Sequence, residues 1–572
     1  MQPSTDKPAR AENNALRRWG PIAAIVAVVA IVAGVLVFTG GDDDDDEPTE
    51  ASTSGTTGGN GEQPEGAISF SRAEEEGLEV TFPETCDEET GRVAIPYYFA
   101  PECFADVEDN GGETFRGVTA DTIKVVVYIG PENDPIIDFI TTAIANDDTN
   151  ADSKATMQGY VDLFNATYQL YGRQVEIEFF DGTGNATDEV AARAAAVAVA
   201  DREPFAVMGS PALTPAFTDE LAARGIPCIG LCAGGGSPEW FEERDPNVLT
   251  VTANSTQLRA HVAEFVEKQL AGKPAEYAGD PAIQSQERAF GYLYIESSEE
   301  STIAADEFEA SLGELGIDLV ERIPYTLDPA RLQEQAASTI ARMKASGVTT
   351  VLFSGDPVAP ATFTREATAQ EWFPEWVVAG SPLVDVTAFA RTYDQEQWSH
   401  AMGVSTLTAR ARPEVGAGWV LYEWFNGEPP PAIDTYGVIF PSPATLFSGI
   451  QAAGPNLTPE TLRDGLFSVE PTGSAVINQS ISYGDHDRWD FTDFNGIDDA
   501  TLIWWDPETT GPDEIRKEGP GMYRYVDGGA RYLPGNWPTD PLPLFDPEAG
   551  VALYDELPPE ETPPDYPSPA GS

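Results

Sequence analysis

From residue 123 to residue 393 the sequence alternates short β-branched runs with longer stretches of helical periodicity, and no other feature constrains the fold as tightly. The run 123–129 (IKVVVYI) is apolar at nearly every position, the pattern of a strand covered on both faces. After it, 157–171 places Tyr160, Val161, Phe164 and Tyr168 on one helical stripe. Strands at 175–180, 206–208 and 228–231 alternate with helices at 188–200 and 215–224. A second series begins after a helix at 255–270: strands at 292–295, 317–323, 350–353 and 376–379, with helices at 299–315, 329–346, 360–371 and 384–393. This order demands parallel sheets with helices on both faces. The fold class expected is α/β, with two doubly wound parallel-sheet lobes joined by crossover strands. Past residue 402 come another strand, helices at 415–425, 432–453 and 458–466, and a small β addition at 502–505 and 522–525.

The ends of the chain have a different composition. Residues 21–38 are an unbroken apolar run, which at ~1.5 Å per residue reaches about 27 Å and can span a hydrocarbon core. Arg17 and Arg18 precede it and Asp42 to Asp46 follow it, so the positive-inside bias places the N-terminus in the cytoplasm and the body outside. A cleaved signal peptide is the competing reading, but no small-residue cleavage site follows Phe38. The expected organisation is a cytoplasmic segment at 1–19, a transmembrane anchor at 20–39, an acidic disordered stalk at 42–79 and an acidic, Cys-containing extension at 80–121. Lobe 1 takes 122–254 and 404–470, lobe 2 takes 255–403 and 471–533, and a Pro-rich acidic tail occupies 534–572, lying along the surface or hanging loose.

Lys and Arg number 32 against 95 Asp and Glu, a formal charge of −63. That opposes the phosphate backbone of nucleic acid and an anionic bilayer, since no basic patch lies beyond the first nineteen residues. With hydrophobic residues at 41%, the chain can still bury a large core.

Four cysteines in an exported chain suggest disulfides, with three connectivities possible. Sequence proximity favours Cys86 with Cys103 and Cys228 with Cys232. The three histidines, His261, His400 and His486, have no metal-ligand spacing, and no serine sits in G-x-S-x-G. Neither an enzyme, a metal site nor a cofactor is expected from these patterns.

The segments 123–130 (IKVVVYIG), 172–181 (GRQVEIEFFD), 187–200, 205–210 (FAVMGS), 214–225 and 226–230 (IPCIG) resemble the first lobe of the type I periplasmic binding proteins, in particular the branched-chain amino acid (leucine/isoleucine/valine) binding branch. Residues 290–298 (FGYLYIESS), 316–325, 341–354 and 377–382 (VVAGSP) resemble its second lobe. The resemblance spans about 122–494 and rests on the order of the set. It implies two lobes closing over a small molecule, with the Ser after the third strand and the loop after the fourth holding a carboxylate; Ser210, Ala233 and Gly235 are the nearest matches. The strand ends of lobe 2 offer Glu296, Asp356 and Ser381, and Tyr436 can line the cleft. The amino-acid binders carry an acidic residue in the loop after the strand ending at Ala379; here that loop reads Gly380-Ser381-Pro382-Leu383, leaving Asp356 or Asp385 as substitutes and putting an amino-acid ligand in doubt. Each named Asp or Ser is equally a candidate helix cap.

The function these readings imply is a membrane-anchored extracytoplasmic solute-binding protein, delivering a small polar solute to an ABC-type permease. The alternatives are a sensor ectodomain of the same fold and, behind it, an exported hydrolase.

Overall fold

The computed structural model describes residues 63–571 apart from 133, 136, 138–145, 233–235, 297–298 and 381–382. The apolar run at 21–38 and the first part of the expected stalk lie outside these residues. Among the described residues no helix is long and apolar enough to cross a membrane.

The first lobe is built on five parallel strands, β1 (Thr122–Ile129), β2 (Gln174–Asp181), β3 (Ala206–Met208), β4 (Cys228–Gly230) and β5 (Val248–Thr250), in the order β2-β1-β3-β4-β5. The buried run Val125 to Ile129 fits the place of β1 inside the sheet, between β2 and β3, where both faces are covered. The helix Asn150–Thr167 starts at a reciprocal cap: Thr149 Oγ1 accepts from the Asp152 N–H at 3.0 Å and Asp152 Oδ2 accepts from the Thr149 N–H at 2.8 Å. It buries Tyr160, Val161 and Phe164, each worth about 1.5–3 kcal/mol of apolar transfer. Helices Ala417–Asn426 and Pro441–Ala453 return to this lobe and pack on that helix.

The second lobe begins with the helix Ser255–Phe265 and holds β6 (Phe290–Ile295), β7 (Leu319–Tyr325), β8 (Thr350–Ser354), β9 (Glu375–Ala379), β10 (Ala401–Ser405), β11 (Ala500–Pro512), β12 (Glu518–Val526), β13 (Arg531–Tyr532) and β14 (Gly550–Val551). Their order is β14-β12-β11-β10-β9-β8-β6-β7, with β13 paired to β11. Strands β6 to β10 are parallel, and β11 and β12 join antiparallel. The small β addition expected near 502 and 522 is therefore an extension of the lobe-2 sheet itself. At the start of β9, Glu375 is fully buried and held by Arg288 through Nε at 2.7 Å and Nη2 at 2.9 Å, so the buried charge is paired on both oxygens.

The helix expected at 255–270 is α-helical only to Phe265 and continues as a wider π-type turn over Val266–Leu270. The helix expected at 384–393 shrinks to Thr387–Ala390, followed by Gln395–Trp398.

The stalk expected over 42–79 does not extend that far. Residues 63–79 are folded: Ala67 and Ser69 are buried, helix Phe70–Glu76 is capped by Ser69, and Ala67 packs against Phe104 and Ala452. Val93, Ile95 and Val118 of the extension join the lobe-1 core, and Cys86–Cys103 closes it.

The tail is likewise fastened along the surface. Trp537 is buried against His261 and Phe265, and β14 pairs with β12. Further on, Tyr566 accepts from Trp424 Nε1 at 2.9 Å and donates to Asp87 Oδ2 at 2.8 Å. The tail thus starts on lobe 2 and finishes on lobe 1.

The third crossover, through 493–498, is pinned where it passes the first, at 250–257. Asn495 donates to Thr250 Oγ1 at 2.8 Å and accepts from Asn254 Nδ2 at 3.0 Å, while Gln257 Nε2 donates to Asp493 Oδ2 at 3.0 Å. Asp493 and Asp498 are both buried here. Burial raises the pKa of each, and Arg488 and Ser482 pull Asp498 back to about 6.

Candidate functional site

The strand ends of both lobes face one seam. On the lobe-1 side, Asp134 follows β1 and accepts from the backbone N–H of Ala186 and, at 3.3 Å, from that of Ile137. The Leu213 N–H donates to the Ala186 carbonyl at 3.1 Å. These bonds present Ile137, Ala186, Ala212 and Leu213 to lobe 2, where they join one apolar cluster with Tyr325, Phe353, Leu383 and Val386. Ser210 lies behind them, 3% exposed, its Oγ 3.3 Å from the Pro211 carbonyl. The Cys228–Cys232 disulfide fastens the first residue of β4 to the loop that follows the strand.

On the lobe-2 side, Asp356 follows β8 and points inward. Its Oδ1 accepts from the N–H groups of Val358 at 2.8 Å and Ala359 at 2.9 Å, and its Oδ2 from Tyr325 Oη at 2.6 Å. Burial raises its pKa, and the tyrosine bond opposes that rise. Both Oδ1 bonds go to backbone N–H groups at the start of helix Ala359–Ala369, whose N-cap position is Val358. A Cβ at Gly355 would lie 2.0 Å from the Tyr325 hydroxyl, which explains the glycine beside Asp356. Glu296 is half-buried, and its Oε1 accepts from Thr302 Oγ1 at 3.2 Å.

Asp385 is 6% exposed; Ser405 Oγ donates to its Oδ2 at 2.5 Å, and its Oδ1 has no partner. Burial pushes its pKa up to about 7, with Glu514 adding to the rise. Ala233, Gly235 and Ser381 lie outside the described residues.

Tyr436 is placed elsewhere. It lines a cavity of about 360 Å³ between the 408–417 crossover, the short helix Tyr436–Ile439 of lobe 1, Glu514 of lobe 2, the extension at Tyr98 and the tail at Leu557 and Glu561. Burial pushes the Tyr436 phenol up to about 12, so it remains a donor at neutral pH. Arg410, Glu514 and Glu561 were not legible as site residues: each sits in an ordinary polar stretch, and only the fold brings them together. Among the described residues no group of three or more His, Cys, Asp and Glu could hold a metal ion.

Two doubly wound α/β lobes, linked by crossovers and meeting at their strand ends, define a bilobal ligand-binding architecture. Residues 136–480 match the family model for periplasmic binding proteins, and this chain belongs to that family. Its fold is the type I form with parallel sheets. No curated protein matches the chain. Among solved structures, a solute binding protein of an ABC transporter from R. palustris in complex with 4-hydroxybenzoate aligns with 15% identity and TM-score 0.48, over 70% of this chain and 97% of that one. The branched-chain amino acid transporter substrate binding protein LivJ from Streptococcus pneumoniae, in complex with isoleucine, gives 15% and 0.46 over 71% and 100%. The leucine binding protein LivK from Thermotoga maritima gives 14% and 0.43 over 72% and 97%.

Proposed function

We propose that this chain is an extracytoplasmic solute-binding protein, tethered through residues 20–39, that captures a small polar solute between its lobes and delivers it to an ABC-type importer. One observation carries the reading: the C-terminal strand ends of two separate doubly wound sheets converge on a single seam, where Leu213 and Ala212 of lobe 1 belong to one buried apolar cluster with Leu383 and Val386 of lobe 2. Ligands of open α/β sheets bind at such strand ends, and a solute that touches both lobes stabilises their approach by its differential contacts. Ser210 and Glu296, with the loops carrying Ala233, Gly235 and Ser381, are the candidate polar contacts. Asp356 acts one step back, holding the loop after β8. Asp385, with Ser405 on its Oδ2, is the other acidic candidate at the seam.

A thermal-shift screen against amino acids, amides, short peptides and aromatic acids tests this. A solute at 100 times its Kd should add ~2.7 kcal/mol of stability. Leu213→Asp should abolish that shift. A broad screen in which no solute moves the melting point would reject the proposal.

A further inference from the structure

The tail passes from one lobe to the other across the hinge, and it does so over a few residues. On lobe 2, Trp537 is buried, with its Nε1 donating to His261 Nδ1 at 3.1 Å and its carbonyl accepting from Lys268 Nζ at 2.8 Å. The tail then runs beside the second crossover: the Tyr554 N–H donates to the Arg410 carbonyl at 2.7 Å, and the Arg412 N–H donates to the Tyr554 carbonyl at 3.0 Å. Glu561, 2% exposed, accepts from the N–H groups of Val476 and Ile477 at 2.8 and 3.0 Å and from Asn478 Nδ2 at 2.8 Å. That stretch sits on lobe 2, since Ile477 packs against the apolar cluster of Phe353 and Tyr523 and Ser474 Oγ donates to Asp499, next to β11.

From Glu561 it is only a short step to Tyr566, which lobe 1 holds. The Tyr566 carbonyl accepts from Trp424 Nε1 at 2.9 Å, its hydroxyl donates to Asp87 Oδ2 at 2.8 Å, and Ser568 Oγ donates to the Trp424 carbonyl at 2.5 Å. Trp424 lies on helix Ala417–Asn426, packed on the lobe-1 core, and Asp87 belongs to the extension, whose Val93 and Ile95 join that core. Fully extended, the link from Glu561 to Tyr566 reaches at most ~17 Å. Pro563 and Pro564 stiffen it by fixing φ.

A hinge motion is absorbed as φ and ψ changes in a few crossover residues. Here the backbone groups of Arg410, Arg412, Val476 and Ile477 are bonded to the tail, so lobe separation must break the anchor at Tyr566 or pull Tyr554 and Glu561 from the crossovers. Bonds present in one arrangement and lost in the other weight the equilibrium toward the first. We infer that residues 554–570 are a hinge strap, which ties lobe 2 to lobe 1 through Glu561 and Tyr566 and favours the approach of the lobes at the seam. The strap lies outside the span 136–480 that matches the family. Its hold on the lobes needs no solute; that it slows solute release rests on the capture proposed at the seam.

The test is pulsed electron resonance on the full-length chain without solute, with spin labels at Val190→Cys on helix Glu189–Ala200 of lobe 1 and Ile303→Cys on helix Glu299–Glu314 of lobe 2. Both positions are exposed, and the four native cysteines are paired. Two variants loosen the strap. Ending the chain at Thr562 removes the lobe-1 anchor, whereas inserting about ten Gly and Ser residues between Thr562 and Pro563 keeps every anchor and lengthens only the link. Each should raise the ratio of separated to approached lobes by about tenfold, read as a broader distribution or a second distance population, with the far-ultraviolet circular dichroism of the wild type retained. The insertion keeps the test valid if the shortened chain misfolds. A distance distribution that stays as in the wild type in either folded variant overturns the proposal. With no solute in the sample, a failed solute screen would not account for that result, and the result would leave capture at the seam standing.

Discussion

Raising the pH across the carboxyl range should weaken this fold, and Asp385 allows the effect to be isolated. Burial at the seam moves its carboxyl from 3.8 to about 7. The folded state therefore keeps a proton that the unfolded chain has lost. The stabilisation is complete below about pH 4 and disappears as the pH rises through about 7, with stability falling across that window. A shift of that size corresponds to about 4 kcal/mol, a large part of the 5–15 kcal/mol by which domains are usually stable. Asp385→Asn removes the titration. The amide still accepts from Ser405, but its NH₂ faces the position where Oδ1 has no partner, at a pH-independent cost of about 1–3 kcal/mol. The variant should thus be less stable than the wild type near pH 4 and should gain on it steadily up to about pH 8. Urea unfolding followed by tryptophan fluorescence, for both proteins across that range, gives the difference directly. Parallel stability curves would refute the assignment. Asp498 at the third crossover has the same sign, so the wild type keeps part of its slope when Asp385 is replaced.

Three further outcomes follow from the packing. Asp356→Ala leaves Tyr325 Oη and two backbone N–H groups without their acceptor, so it should lower stability by about 2–4 kcal/mol, read as a fall in the melting midpoint of the unliganded protein. Arg288→Ala strands the buried Glu375 carboxylate and should cost about 3–5 kcal/mol in urea unfolding, whereas replacing an exposed arginine such as Arg72 should cost under about 1 kcal/mol. Deleting 556–572 removes the bonds of Glu561 to Val476, Ile477 and Asn478 and the tie from Tyr566 to Asp87; limited proteolysis should then cut the chain faster near 476–478 and 85–90.

The two-lobed architecture was legible because its signals are local. Runs such as Val125-Val126-Val127 can only be buried strands, and an Ala-rich stretch such as 189–200 has helical propensity whatever surrounds it. The cysteine pairs were close enough in sequence for proximity to suggest them. What escaped depends on distant partners. Residues 63–79 have the composition of a solvated spacer, yet Ala67 is buried because Ala452, nearly four hundred positions away, packs on it. The tail is Pro-rich and acidic, yet Trp537 and Glu561 are each held by residues of the body. Asp356 shows a different limit. An aspartate after a strand suits a helix cap and a ligand contact equally, and only the hydroxyl of Tyr325, thirty-one residues earlier, shows which role its oxygens fill. Arg410 gave no signal, since its buried, unpaired Nη1 exists only once crossover, tail and extension are assembled.

A solute held between the lobes should change how they sit, and a distance between the lobes tests that capture most directly. Val190 on lobe 1 and Ile303 on lobe 2 are exposed, at 81% and 43%. All four native cysteines are in the two disulfides, so spin labels at Val190→Cys and Ile303→Cys go only to the new thiols. Pulsed electron resonance should show the label distance change or its distribution narrow on adding a solute that raises the melting point. Stoichiometric, saturable solute binding with an unchanged distance distribution would contradict capture between the lobes.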